Sequence, residues 1–516
     1  MTGVLDGFAL VKQNSDARRF ALLIALVGFG VELSRVAQTT FFLQNAGADQ
    51  LPMVFVAFAV LMGLASSIYS VSTHRVKLAS LASIACGVAV TATMAAWILI
   101  VIGVRSIVLA HVLYCVVEMC FIFLPLTLWA VANEAFSQED AEKYLPPIAA
   151  YGLIGAVIGG TITRAVVGTI GPYNTLPLAA AAYGACCYYC RTIPAQRRAA
   201  VTKPRQRPEG KLSVEPIVTT LTVLSLPMFF LAFVIEYMYY STVGEVVVNA
   251  TDQSQFISTF GIICAVAAVC AQIVLTPFLF RRLGVGTTAF VYPSALALGA
   301  MLTLVYALYQ GGRGDSAGPP SMAFASFVLA ARALDIVLYQ SVYESTTHIL
   351  YYAVPEERRT RARSLIGGIM FPVSVAFSGL LLMSFSYFNQ PMYNVAFAAI
   401  VVGFLVLVMG MDVRPDYLRS LLANSDETDT KAREALMDEI SRLSLNESRV
   451  LLLESLQSER EDEALFAVDK LLDTYDRFLL EDLREIREKI SANVLVALTD
   501  AMAARGIAEA DRLLLA

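Results

Sequence analysis

Apolar runs of about 20 residues, separated by short polar breaks, recur from Phe20 to Met411, and a run of that length crosses a bilayer as a helix. Twelve spans are predicted, over 20–43, 51–72, 78–103, 107–132, 147–170, 175–191, 217–243, 254–280, 286–309, 321–348, 364–386 and 391–411. Charge interrupts them selectively. Glu32 and Arg35 lie on the first span, Glu118 on the fourth, Glu236 on the seventh, and Arg332 and Asp335 on the tenth. At similar depth the other spans carry only Arg164, near the outer end of the fifth, where snorkelling to the interface explains it. A charge in hydrocarbon costs roughly 2.5 kcal/mol or more, so it normally faces protein or water. Charges on every third span therefore predict four helices around one wet cavity.

Past Met411 the pattern changes. From Pro415 the chain is charged, and Leu and Ala recur at helical spacing, as in Ala435, Leu436, Ile440 and Leu443. Helices are predicted over 415–423, 428–443, 446–457, 461–475 and 479–503. Glu434, Ala435 and Leu436 sit in one helix as Glu463, Ala464 and Leu465 sit in the next, the outline of a short HEAT-type stack. Such a module binds protein, or it is a small acidic bundle that stabilises the tail. Composition agrees with the division: 57% of the chain is hydrophobic and 16% charged, too little charge to cover a soluble protein of this length. The net charge of −5 conceals a tail of −10 from Asp412 onward and a membrane part of +5.

Basic residues mark one face of the membrane. Lys12, Arg18, Arg19, Arg75, Lys77, Arg281, Arg282, Arg358, Arg359, Arg361 and Arg363 fall in alternate loops, and the Pro/Arg/Lys-rich linker joins them. By the positive-inside rule both termini and the linker are expected on the cytoplasmic side, and a bacterial inner membrane is the expected location; the linker's basic cluster can also touch anionic lipid. The first run is not a cleavable signal, because it is too long, carries Glu32 and Arg35, and lacks a small-residue cleavage site.

A weak internal repeat relates two groups of six spans. A shift of 204 takes Glu32 to Glu236 and Asn45-Ala46 to Asn249-Ala250, and a shift of 217 takes Glu118 to Asp335 and Glu139 to Glu356. Parallel six-helix repeats are the mark of the major facilitator architecture, which makes this an all-α membrane protein with a small cytoplasmic helical domain. The expected divisions are 1–193 for the first six helices, 194–216 for the linker, 217–411 for the second six and 412–516 for the acidic tail.

The candidate chemistry follows. Glu32, Arg35, Thr39 and Phe42 share one face of the first helix, and Arg332, Asp335, Tyr339 and Tyr343 one face of the tenth. Each acid–arginine pair either exchanges partners when a ligand enters or locks two helices. Glu118 and Glu236 have no basic neighbour on their own helices: either each holds a proton near neutral pH, or they pair across the cavity with Arg35 and Arg332. Tyr237, Tyr239 and Tyr240 follow Glu236 and stack on a flat ligand or pack. His348 and Glu344 lie near the cytoplasmic mouth, a gate or proton relay in outline. Pro125, Pro227, Pro277, Pro293 and Pro372 lie inside spans and can bend them. On the fifth span Gly152, Gly155, Gly159 and Gly160 permit close helix contact, a packing or gating face similar to the glycine-rich fifth helix of facilitator antiporters. No GxxxxGK[ST], GxGxxG after a strand or HExxH occurs, so an enzyme is not expected. The three histidines are scattered, and the eight cysteines, including Cys187 and Cys190, read as packing, so neither metal nor cofactor is expected, nor is nucleic acid.

The first span and its loop are more specific. Leu33, Ser34, Arg35 and Gln38, then Gln44 through Pro52, resemble the start of the plastid- and parasite-type nucleotide (ATP/ADP) transporter family. Trp129, Asn133, Phe136 and the loop to Tyr144 and Pro146 are similar to the same family, and the resemblance covers roughly 18–412. Bacterial members of that family often carry HEAT-like repeats after the last span. The resemblance implies solute exchange by alternating access. It also implies a lysine, tied to phosphate recognition, where this chain has Gln38. A polyanion wants several cationic partners; here Arg35 and Arg332 face Glu32, Glu118, Glu236 and Asp335. ATP/ADP exchange is disfavoured, and a zwitterionic or cationic solute, with proton coupling, fits the predicted site Glu32, Arg35, Gln38, Glu118, Glu236, Tyr240, Arg332, Asp335 and Tyr339. The competing reading is a transport-inactive sensor or scaffold whose tail recruits a cytoplasmic protein.

Overall fold

The computed structural model describes residues 11–136, 138–192, 216–311, 322–388, 392–423 and 491–504, with single positions between 452 and 490. Apart from short 3₁₀ and π turns, its regular elements are α-helices: α1 Ser15–Asn45, α2 Leu51–Arg75, α3 Leu78–Val101, α4 Ile107–Ala135, α5 Gln138–Ile170 and α6 Leu176–Thr192, then α7 Pro216–Val246. α8 runs Ala250–Cys270, continues through a π turn Ala271–Leu275, and ends with Thr276–Thr288. α9 is Val291–Gly311. α10 joins Met322–Leu338, a π turn Tyr339–Tyr343 and Glu344–Leu350, and α11 joins Glu356–Leu365, a π turn Ile366–Met370 and Phe371–Tyr387. α12 Met392–Gly410, α13 Val413–Ala423 and α14 Ala492–Ala504 complete the series.

Among the described residues ten helices are long and apolar enough to cross a membrane. The two predicted spans outside that set are α6, with 17 residues, and α9, apolar over Val291–Thr303. Helices are the form such sequences must take, since lipid offers no partner to an open N–H or C=O. Local signals set their starts: Asn14 Oδ1 accepts from the amides of Asp16 (2.9 Å) and Ala17 (3.2 Å) to begin α1, and Ser106 caps α4. The repeated Asn-Ala pairs play different parts. Asn45 closes α1 by donating to Phe41 O, whereas Asn249 opens α8 by accepting from Thr251 N.

The π turns have physical causes. Proline lacks an N–H, and its ring collides with the carbonyl four residues back. Pro277 and Pro372 each follow a π turn by two residues, and the wider turn makes room for the ring. The turn in α10 precedes no proline; instead Thr276 Oγ1 of α8 donates to Ser341 O within it (2.9 Å). Pro125 and Pro227, by contrast, sit inside unbroken helices.

Packing repeats under a shift of six helices. α1 lies on α5 as α7 lies on α11, α3 on α6 as α9 on α12, and α1 on α4 as α7 on α10. The contacts α5 on α8 and α2 on α11 exchange under the same shift and join the two sets. α1 and α5 meet backbone to backbone: a Cβ on Gly28 would strike Gly152 O, one on Gly155 would strike Ala25 O, and one on Gly159 would lie 2.8 Å from Phe29 O. Gly160 faces the other way, toward Ile262 of α8. Of the predicted packing glycines, Gly155 and Gly159 thus bind the first set together and Gly160 touches the second.

After α12 the chain turns back. α13 packs on α7, where Ser420 Oγ accepts from the Ile217 amide (3.1 Å) and Thr220 donates to Asp416. Farther on, Leu452, Leu456, Ala467, Leu471, Leu483, Leu498 and others form a hydrophobic cluster of their own. The predicted helix 428–443 and most of the HEAT-type pattern fall outside the described residues, as do the linker from Pro194 and the loop ahead of Met322.

Candidate functional site

Where α1, α4, α7 and α10 converge, with α5, α8 and α9 beside them, they enclose a cavity of about 390 Å³, within the size range of small-molecule sites. Glu32, Arg35, Glu118, Glu236, Tyr240, Arg332, Asp335 and Tyr339 all line it. Gln38 does not. It is fully buried, and its amide nitrogen has no partner among the described residues. Phe42 also turns away and packs on Tyr114 at 5.4 Å. Tyr239 lines the cavity but Tyr237 does not. Arg164 is exposed, and Glu344 and His348 lie outside the lining.

The charges close into two clusters. Arg35 donates two parallel hydrogen bonds to Glu118, Nε to Oε1 (3.0 Å) and Nη2 to Oε2 (3.1 Å). Its guanidinium also lies 4.6 Å from the Phe121 ring centroid. Arg332 forks to two acids, Nη2 to Glu236 (2.8 Å) and Nη1 to Asp335 (2.5 Å). Two tyrosines complete the second cluster: Tyr114 donates to Glu236 (3.2 Å) and Tyr292 to Asp335 (2.8 Å). Glu118 and Glu236 therefore take the paired of their two predicted forms. On α10 the arginine bonds the acid three residues away; on α1 it does not, and Glu32 makes no hydrogen bond or ion pair among the described residues. Its Oε1 sits 2.9 Å from where a Cβ on Gly261 would be, so only glycine on α8 allows this approach.

Aromatic rings form much of the remaining wall. Tyr239 stacks on Phe260 at 5.0 Å, Phe371 meets Phe229 and Phe233 edge-on, and Tyr339 stacks on Tyr343 beside Tyr292. Sequence reasoning missed Tyr114 and Tyr292. Tyr114 lies four residues before Glu118 on the same helical face and was within reach of the spacing rule. Tyr292 is on α9, which brings no charge of its own, and only the packing of α9 on α10 brings it in. Among the described residues no group of three or more His, Cys, Asp or Glu side chains is placed to hold a metal ion.

At the end of α1 remote from its N terminus, the two sets are bonded together. Thr40 and Ser254 hydroxyls meet at 2.8 Å, and Gln44 donates to Val248 O (2.8 Å) and Gln253 (3.2 Å). Nearby, Gly379 of α11 lies so close to α2 that a Cβ would be 2.6 Å from Pro52 O.

No protein-family model matches the chain, and no curated protein matches it. Solved structures do. The nucleoside transporter NupG, crystallised as a D323A mutant, aligns over 77% of this chain and 99% of its own at 11% identity, with a TM-score of 0.52. An auto-inhibited POT family peptide transporter aligns over 78% and 97% at 10% identity, with a TM-score of 0.55. A bacterial homologue of the iron transporter ferroportin, in an inward-facing state, aligns over 76% and 98% at 12% identity, with a TM-score of 0.50. These are transporters of major facilitator type, and the likeness is one of fold. With ten membrane-length helices among the described residues, the chain is an integral membrane protein of facilitator-like fold.

Proposed function

We propose that this protein is a secondary active solute transporter working by alternating access, with α1–α6 and α7–α12 as two six-helix halves that rock about the cavity. One observation carries the reading: four buried charges and two half-buried ones line one cavity where the two halves meet. Buried ion pairs are poor stabilisers, because desolvation offsets much of their attraction. Six ionisable groups around a void are therefore better explained by a ligand path than by folding. The hydrogen bonds from Thr40 and Gln44 to α8 would hold one end shut, the outer end if the N terminus is cytoplasmic as the basic loops imply. The solved transporters of similar fold carry nucleosides, peptides and metals by their own descriptions, and so support the class without choosing a solute.

Both arginines are already bonded to carboxylates, which argues against ATP/ADP exchange even though the first helix resembles the nucleotide transporters. Proton coupling is assigned to Glu118 and Asp335: a proton on either carboxylate weakens its arginine bond and frees that arginine to change partners. The tail, with its own apolar cluster, is proposed as a cytoplasmic HEAT-like module. Nothing among the described residues favours a transport-inactive scaffold. Flux into proteoliposomes under an imposed proton gradient tests the reading. Wild type should accumulate solute, and Glu118→Gln and Asp335→Asn should each uncouple accumulation from the gradient. Unchanged gradient dependence in both variants would remove them from the coupling path.

A further inference from the structure

We infer that Glu32 is the anchor for a positively charged nitrogen, and that the ligand is an organic cation with a flat apolar body. The inference rests on the cavity being the solute site. Every other carboxylate in the cavity is held: Glu118 by Arg35, and Glu236 and Asp335 by Arg332 and two tyrosines. Glu32 alone among them has no hydrogen-bond or ion-pair partner among the described residues, yet it lines the cavity. Four acids against two arginines leave the site two charges short of neutral when all are ionised.

An anion meets no unpaired cation there: the Arg35 guanidinium, 27% exposed, is already bonded twice to Glu118. Arg332 keeps only Nε without an acceptor, on a guanidinium already facing two carboxylates. A cation finds both charge and shape. Beside Glu32, Gly261 gives its carboxylate room on α8, and the preceding residue, Phe260, stacks on Tyr239. A carboxylate beside stacked aromatic faces is the chemistry that receives an ammonium group. Phe233, Phe371 and Phe229, set edge to face, continue the wall and suit the rest of a planar ligand.

Three probes with one indole body separate the charge from the shape: tryptamine, tryptophol and indole-3-acetate. Equilibrium binding to the full-length protein in detergent should rank tryptamine about tenfold tighter than tryptophol, the scale of one charge-assisted contact, and should find indole-3-acetate weakest. Glu32→Gln should erase the gap between tryptamine and tryptophol while leaving tryptophol affinity unchanged. Glu32→Asp, which keeps the charge, should retain most of the gap and guards against misfolding of the first variant. Equal affinities, no binding of any probe, a preference for indole-3-acetate, or a gap that survives Glu32→Gln overturns the inference. Flux separates this from the class of protein. Cation-selective binding with no flux under any gradient would defeat the transporter reading alone, whereas flux of an anion indifferent to Glu32→Gln would defeat the inference and leave the transporter standing.

Discussion

The two halves answer the same sequence elements in opposite ways. Each brings an acid and an arginine three residues apart on its central helix, Glu32 and Arg35 on α1, Arg332 and Asp335 on α10. In the second half the set is closed: Arg332 holds Asp335 and Glu236, all three side chains at most 9% exposed. In the first half Arg35 leaves its helical neighbour for Glu118, stays 27% exposed, and Glu32 is left over. The backbones differ as well. Among the described residues all three π turns lie on α8, α10 and α11, while their counterparts α2, α4 and α5 are regular. The first set of helices leaves one carboxylate open to the cavity, and the second closes its charges and carries the widened turns.

The sharpest way to break this comparison is to delete each arginine. Arg332→Met strands two buried carboxylates and should destabilise the protein by about 3–5 kcal/mol. Arg35→Met strands one acid beside a partly open cavity and should cost roughly 1–2 kcal/mol. Thermal unfolding in one detergent reads both, and equal losses would mean the second half is no more closed than the first.

Backbone contact should favour the first half. A methyl at Gly159 would press on Phe29 O at 2.8 Å and on Glu32 Cβ at 3.2 Å, so Gly159→Ala should cost about 1–3 kcal/mol. It should also shift tryptamine affinity, since it pushes the residue that binds the probe. A lower melting temperature with unchanged affinity would assign Gly159 to packing only. A smaller effect is expected from the hydroxyls that steady the second cluster. Tyr292→Phe removes the shorter bond, 2.8 Å to Asp335, and Tyr114→Phe the longer, 3.2 Å to Glu236. The first should cost about 1.5 kcal/mol and the second less, and the reverse order in thermal unfolding would show that Asp335 is held by Arg332 alone.

Much of the cavity was legible before any coordinates, because a charge inside an apolar run has few places to go. Glu32, Arg35, Glu118, Glu236, Arg332 and Asp335 follow from that argument, and Tyr240 and Tyr339 from their spacing to Glu236 and Asp335. What sequence could not decide was pairing. Glu118 had two futures, and only the approach of α1 to α4 chose Arg35 for it. Resemblance puts Gln38 in the site, but it lies six residues after Glu32, about a third of a turn off that face of the helix, and packs into protein instead. Tyr292 and Gly261 carry no signal in one dimension, since each matters only through a residue on another helix. The proline positions were visible, but Pro125 sits in a regular helix and Pro277 follows a π turn, so local sequence alone did not say which prolines would distort their helices.

The turn in α10 gives the finest test of the second half, because a neighbouring helix bonds to it. Pro277 accounts for the widened turn in α8 and Pro372 for that in α11, but residues 339–343 contain and precede no proline. The Thr276 hydroxyl donates to Ser341 O, while Tyr339 and Tyr343 pack on Tyr292 of α9. Thr276→Val keeps the volume and removes the bond, so it should cost about 1 kcal/mol. Amide exchange from Ser341 to Glu344 should then quicken roughly fivefold, the same energy read as local opening, while α4 stays unchanged. Exchange unaffected in α10 would mean that its turn is set by its own sequence and is not coupled to the proline turn in α8. A faster rate in both helices would instead show the two turns opening as one unit, which is how a charge-closed half could still bend during transport.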